Sequence, residues 1–268
     1  MFSSLVLAVM LTQAAPQRLR WEPKVDIPVT GALITGWVLS EFAFKKQLAA
    51  PSCRWCATNG FDTAVRSVFN PTLSPSAEGI GPAHVASNLI GFVGVPLAMV
   101  GLDALLSWRD GVFLEAFPVD LVLVLEATFS ILGLNQAVKF AVGRGRPYTV
   151  GASPELLAGG HDPADNNLSF FSGHSTFTFA LAASTATIAS LRGYRHAWVV
   201  WAVGIPMATA TAVLRLAADK HWTTDILLGS ALGLATGILM PTLLHGRVGP
   251  VTARVSPMPN GLALSGRF

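Results

Sequence analysis

Three short polar clusters interrupt an otherwise apolar chain, and their side chains are those needed to hold a phosphate and attack it: residues 139–147 (KFAVGRGRP), 171–174 (FSGH) and 215–225 (RLAADKHWTTD). In the first, Lys139 is followed by Arg144, Arg146 and Pro147. Proline cannot continue a helix, so the chain turns there and leaves its cations at the end of an apolar run. Arg146 offers a planar fork of donors to phosphate oxygens and Lys139 adds a point charge, although any one basic residue at such a place also simply snorkels to an interface. In the second cluster Ser172 and Gly173 predict a helix start, where serine caps free N–H groups, glycine permits close backbone approach and the dipole favours an anion. His174 follows directly, after a polar, turn-forming stretch at 161–167 (HDPADNN) that sets it beside water. Taken alone, Ser-Gly is equally well a plain helix cap.

The third cluster is the most specific. His221 and Asp225 stand at i and i+4, the spacing of one helical face. A carboxylate so placed can accept the imidazole Nδ1–H, leaving Nε2 as a nucleophile. Arg215 lies just upstream of His221. The plainer reading, a His–Asp pair tying helix ends together, is outweighed by the rule that ionisable groups at membrane depth usually act. Asp103, Asp120 and Glu126 fall within or beside apolar runs, and Asp219 and Lys220 adjoin the third cluster; pairing between helices or tuning of local charge accounts for these five.

What must position the clusters is a set of membrane helices. Of 268 residues 51% are hydrophobic and 12% charged, with a mean hydropathy of +0.52, against roughly 25% charged in soluble proteins. Apolar runs near 29–48, 85–106, 118–142, 173–191, 197–217 and 222–244 have about the 20-residue length that spans a bilayer. They are too long and continuous for barrel strands. The expected fold class is therefore all-α, a polytopic membrane bundle of about six transmembrane helices over residues 26–245. Segment 1–25 holds a possible signal peptide, and the Pro- and Gly-rich 246–268 reads as an exposed tail. With six spans, the ends of the third and fifth and the starts of the fourth and sixth share one face, so all three clusters converge there.

Charge supports no other class. The net charge of +3 is mild and no basic stripe occurs, which argues against nucleic acid; no repeat of solenoid length is visible either. Basic residues outside the clusters favour a cytoplasmic N-terminus and clusters on the outer face, whereas a cleaved leader would invert that layout. Cys53 and Cys56 supply too few ligands for a structural zinc site. A local disulfide and two free thiols both fit.

Read in order, K-x6-RP, SGH and R-x5-H-x3-D, the sequence resembles the type-2 phosphatidic acid phosphatase superfamily of six-helix membrane phosphatases. The resemblance covers the organisation from about residue 29 to 244. It implies that Lys139, Arg146, Ser172, Gly173 and Arg215 bind the phosphoryl group, that His221 attacks phosphorus to form a phosphohistidine, that Asp225 orients it, and that His174 protonates the leaving alkoxide. It further implies hydrolysis of a lipid phosphate or pyrophosphate without metal or cofactor. Lipid substrate and membrane lipids are the expected partners, with no nucleic acid and no obligate protein partner, in a bacterial-type plasma membrane with the site on the extracytoplasmic face. Phe171 and Leu214 stand where the family usually has Pro and Ser; neither change removes a group that does chemistry, and a lost hydroxyl contact costs about 1 kcal/mol. A lipid phosphotransferase using the same residues, and a non-catalytic binder of anionic lipid, are the alternatives.

Overall fold

The computed structural model describes residues 16–72, 74–76, 81–159, 162–246, 252–258 and 261–267; the leader at 1–15 and His161 lie outside them. Helix α1 (Pro23–Val38) continues through a wide π turn at Leu39–Ala43, and α2 (Lys45–Leu48) and α3 (Gly60–Phe69) follow. Helix α4 (Gly81–Leu89) passes through a second π turn (Ile90–Gly94) into α5 (Val95–Arg109). Then come α6 (Phe113–Val142), the short α7 (Pro154–Ala158), α8 (Gly173–Arg192), α9 (Ala197–Ala217) and α10 (Thr223–Leu244).

Six long helical rods result, as the hydropathy pattern predicts, with shifted ends. The first runs Pro23–Ala43, so it starts earlier than expected and leaves Lys45 and Lys46 beyond it in α2. Four rods, Gly81–Arg109, Phe113–Val142, Ala197–Ala217 and Thr223–Leu244, are long and apolar enough to cross a bilayer, and the chain is an integral membrane protein. Helix α8 differs because it sits at the centre, packed by α5, α6, α9 and α10. It is rich in Ser, Thr and Ala and buried along most of its length. Its hydroxyls stay internal: Thr176, Thr178, Thr185 and Ser190 donate to the carbonyls of Ser172, His174, Leu181 and Ala186 at 2.7–2.9 Å, which satisfies them without water.

Close packing fixes the start of α8 against α10. Gly229, Gly233 and Gly237 form a stripe on α10, and a Cβ on them would approach the carbonyl oxygens of Ser172, Thr176 and Ala180 to 2.7, 2.5 and 2.7 Å. Small residues at this period let two backbones touch, and the first of these contacts is at Ser172, within the second cluster.

The loop after the first rod folds over one end of the bundle. Asn59 caps α3 by accepting from Asp62 N at 2.8 Å, and Asp62 and Arg66, one turn apart, both point inward and are buried. Cys53 and Cys56 are joined in a disulfide. Where the sequence predicts only an exposed tail, β1 (Thr252–Met258) and β2 (Gly261–Arg267) pair antiparallel, Thr252 opposite Arg267. The missed signal is the Asn-Gly at 260–261, a hairpin dipeptide.

Candidate active site

All three clusters reach the same end of the bundle and surround a cavity of about 490 Å³ whose lining includes Lys139, Arg146, Gly173, His174, Arg215, Lys220 and His221. Each is brought there by an end of a helix: Lys139 by the last turn of α6, Gly173 and His174 by the first turn of α8, Arg215 by the last turn of α9. His221 stands just before Trp222, the residue that caps α10.

His221 has its tautomer imposed from both sides. Its Nδ1 lies 2.8 Å from the Ser169 carbonyl, an obligate acceptor, so Nδ1 carries the proton. Its Nε2 lies 3.5 Å from Arg146 Nη1, an obligate donor, so Nε2 presents its lone pair at the cavity wall. Burial, followed by the positive fields of Arg146, Arg215 and Lys139, holds the imidazole well below its ordinary pKa of 6.5. It is neutral at pH 7.

Asp225 is placed differently from the i, i+4 expectation. His221 is outside the helix, and Asp225 is the N3 residue of α10, where Oδ2 accepts from Trp222 N at 2.9 Å. That oxygen stays 3.7 Å from His221 Nδ1, beyond a hydrogen bond. It accepts instead from Ser169 Oγ, while Oδ1 accepts from Arg144. Asp225 thus acts on His221 through Ser169, whose carbonyl holds the ring. Ser172 takes the helix-cap position that its place before Gly173 predicts. Its hydroxyl accepts from Ser175 Oγ at 3.0 Å and Ser175 N at 3.4 Å and so caps α8.

The cations are held by neutral groups. Arg146 donates to the carbonyl of Asp165 at 2.7 Å and of Lys220 at 3.2 Å, with the Asp165 carboxylate 3.7 Å away at the rim. Burial pushes the Asp165 carboxyl up, but Arg146 and Lys45 outweigh it and keep it ionised, well below the usual carboxylate range. Arg215 donates to His84 Nδ1 at 3.0 Å and Ser87 Oγ at 3.2 Å, and its buried Nε has no partner. A Cβ on Gly173 would sit 2.9 Å from Lys139 Nζ and 3.2 Å from Asn135 Oδ1, so glycine lets the lysine lie against the helix start. The N–H groups of a helix's first turn take no intrahelical bond, which leaves those at the start of α8 pointing into a cationic pocket.

A family model described as the PAP2 superfamily matches residues 120–248, which contain all three clusters. Over these residues the helical core is similar to the PAP2 superfamily. A solved structure, the crystal structure of the first transmembrane PAP2 type phosphatidylglycerolphosphate phosphatase from Bacillus subtilis, is similar at 17% identity, covering 80% of this chain and 93% of that chain with a TM-score of 0.47. No curated protein sequence matches.

Several contributors to this site escape the cluster reading. Asn88 Oδ1 lies 2.7 Å from His174 Nε2, and its Nδ2 lies 3.4 Å from His84 Nε2, so an amide bridges His174 to the imidazole that receives Arg215. The signal was present as His84 and Asn88, an i, i+4 polar pair within an apolar run. Arg144, left without a role in the first cluster, is buried between Asp225 and Asp62, donating to Asp62 Oδ2 at 2.7 Å with Trp55 4.2 Å from its guanidinium carbon. Asp62 also accepts from Thr224 N and Oγ1 at 2.9 and 2.8 Å. Asp219, expected only to tune charge, is clamped bidentately by Arg66 at 2.8 Å and sets the turn before His221.

Proposed function

We propose that the chain is a lipid phosphate phosphatase working through a phosphohistidine on His221, without a metal in its chemical steps. The observation that carries the proposal is the neutral His221 fixed between Ser169 O and Arg146, its Nε2 facing a pocket of buried cations. The phosphoryl oxygens would take the place of the missing partners of Arg215, with Arg146, Lys139 and the first N–H groups of α8 completing the cradle. Such preorganised donors act on the charge of the transition state and are worth about 2.7–4 kcal/mol each.

The steps follow from the donor pattern. Phosphate binding neutralises the cationic wall and lets His174 hold a second proton; Nε2 of His221 then attacks phosphorus, the P–O ester bond breaks, and the His174 imidazolium gives its proton to the leaving alkoxide. Ser169 O stabilises the Nδ1–H as positive charge develops on the ring. Water then attacks the phosphohistidine, His174 takes the water proton, and the N–P bond breaks to restore His221 and release inorganic phosphate. Protons and bonds balance over the cycle.

The cavity's shape supports a lipid substrate. Along α6 its lining runs from Lys139 through Gln136 and Leu132 to Phe129, about 15 Å at helical rise, and turns from charged to apolar on the way. Trp37, Phe42, Phe92 and Phe177 complete the apolar part. A headgroup at the helix ends and a chain along the aromatic wall fit that gradient. Arg54 and the Cys53–Cys56 disulfide lie on the site's face, the disulfide beside Gly145; a structural disulfide and the charge bias both favour the extracytoplasmic side.

Phosphate release from phosphatidic acid in mixed micelles with excess chelator tests the proposal. Wild type is expected to turn over and His221→Ala to lose about 10³-fold or more; full activity in the variant overturns the nucleophile. Release that stays low while phosphate passes to an added alcohol would convert the reading to a transferase.

A further inference from the structure

At the opposite end of the bundle three groups from distant parts of the chain meet in a buried cluster. Asp26 comes from the first turn of α1, Glu126 from the middle of α6 and His245 from the residue after α10, and one ligand atom of each lies within 4.8 Å of the others. The residues are 7, 5 and 5% exposed. We propose that Asp26, Glu126 and His245 form a structural site for a divalent transition-metal ion of the zinc class.

The arrangement of atoms is that of ligands rather than of a hydrogen-bonded trio. His245 Nδ1 lies 3.1 Å from the Arg20 carbonyl, which fixes the proton there and leaves Nε2 as a donor of its lone pair, the outer-shell device that commonly orients metal-bound histidine. That Nε2 faces Glu126 Oε2 at 3.7 Å, and neither atom has a hydrogen-bond partner. A direct hydrogen bond would draw them to about 3 Å, whereas two atoms sharing a tetrahedral ion at about 2.0–2.1 Å each stand roughly 3.3–3.4 Å apart. Asp26 already has Oδ2 occupied by Glu22 N at 2.7 Å, which holds the carboxylate in place.

Charge points the same way. With the imidazole neutral, as metal ligation requires, the two carboxylates would carry two negative charges, and among the described residues no Lys or Arg side chain forms an ion pair with either acid. Arg20, whose carbonyl faces His245, spends its guanidinium on the carbonyls of Leu243 and Gly246. Buried charge of this kind needs a counterion, and a divalent ion neutralises it. The imidazole selects against Mg²⁺ and Ca²⁺, and the hard carboxylates against Cu(I). Three protein ligands leave the fourth position to water. Bound metal would pin the start of α1 and the end of α10 to α6, about 20 Å along α6 from Lys139, so it is remote from the phosphate chemistry.

The test is metal content of the full-length protein in detergent. Chelator-stripped wild type is reloaded with Zn²⁺ alone, desalted and measured by elemental mass spectrometry, beside Glu126→Gln, His245→Asn and the distant His221→Ala. One equivalent is expected in wild type and His221→Ala, and less than about a tenth in the other two. Co²⁺ should give a visible spectrum that His245→Asn abolishes. Wild-type Tm should rise by at least about 3 °C with Zn²⁺, while phosphatase activity below the stripped protein's Tm should persist. Wild type that takes up no stoichiometric metal overturns the site, as does metal retained in both variants. Should a variant fail to fold, an unchanged wild-type Tm with and without Zn²⁺ overturns it equally.

Discussion

The two ends of the helix bundle carry buried charge of opposite sign, and each differs from the balanced networks nearby. Around the cavity, Arg146 and Arg215 are held mainly by carbonyls, an imidazole and a hydroxyl, and with Lys139 they line open space. At the far end, Asp26 and Glu126 meet a single histidine. Between and beside these lie groups whose partners are in place: the pair Arg66–Asp219, and Arg144 shared by Asp62 and Asp225, which take further hydrogen bonds from Thr224, Ser169 and the Trp222 N–H. The difference teaches which buried charges wait for a ligand. Balanced pairs complete each other and fix backbone; unbalanced ones need an ion from outside, an anion at one end and a cation at the other.

Substitutions that break this comparison should differ in kind as well as in size. The largest effect is expected at Arg215: Arg215→Ala should lower kcat/KM by about 10²–10³-fold, as loss of one preorganised donor does, with Tm little changed. Steady-state kinetics beside thermal unfolding checks both. Arg66→Ala should do the reverse. Removing one partner of a buried pair costs about 3–5 kcal/mol, read as a lowered Tm, while kcat of the folded enzyme changes less than about tenfold.

Asp225 tests a finer distinction. Asp225 reaches Ser169 through its hydroxyl and also holds Arg144 and the Trp222 N–H, so Asp225→Asn is expected to reduce kcat by about 10–10²-fold and Ser169→Ala, which removes only the hydroxyl link, by a few-fold. Equal losses in the two would show that the hydroxyl link carries the whole effect of Asp225. The smallest effect concerns pH. Since His221 is held below 6.5 in the folded protein, the unfolded chain takes up a proton that the native site refuses, so stability falls as pH drops below about 6.5 and the term vanishes above it. The acid limb assigned to His221 in kcat/KM should accordingly lie below 6.5, and an imidazole NMR titration of His221 is the direct check.

Much of this was legible in the sequence, and for a physical reason. Long apolar runs can only be helices in a bilayer, so their ends alternate between faces and Lys139, Gly173, Arg215 and His221 had to meet. The finer geometry was not legible. The i, i+4 spacing of His221 and Asp225 assumed one continuous helix, but α10 begins after His221, so the carboxylate turned to its own helix start and to Ser169. Ser172 caps α8 as its position predicts, accepting from Ser175 through the hydroxyl also proposed to meet phosphate. Asp62 and Asn88 lie far from the clusters in sequence and reach them only through packing. The meeting of Asp26, Glu126 and His245 had no spacing to reveal it at all.

The most direct measurement is rapid acid- and alkali-quench of turnover with a substrate labelled in its phosphoryl group, in chelator. Wild type should yield a protein-bound phosphate that survives alkali and is lost in acid, carried on His221 and absent from His221→Ala. Label that persists in His221→Ala, or sustained turnover without any phosphoenzyme forming under single-turnover conditions, would contradict attack by His221.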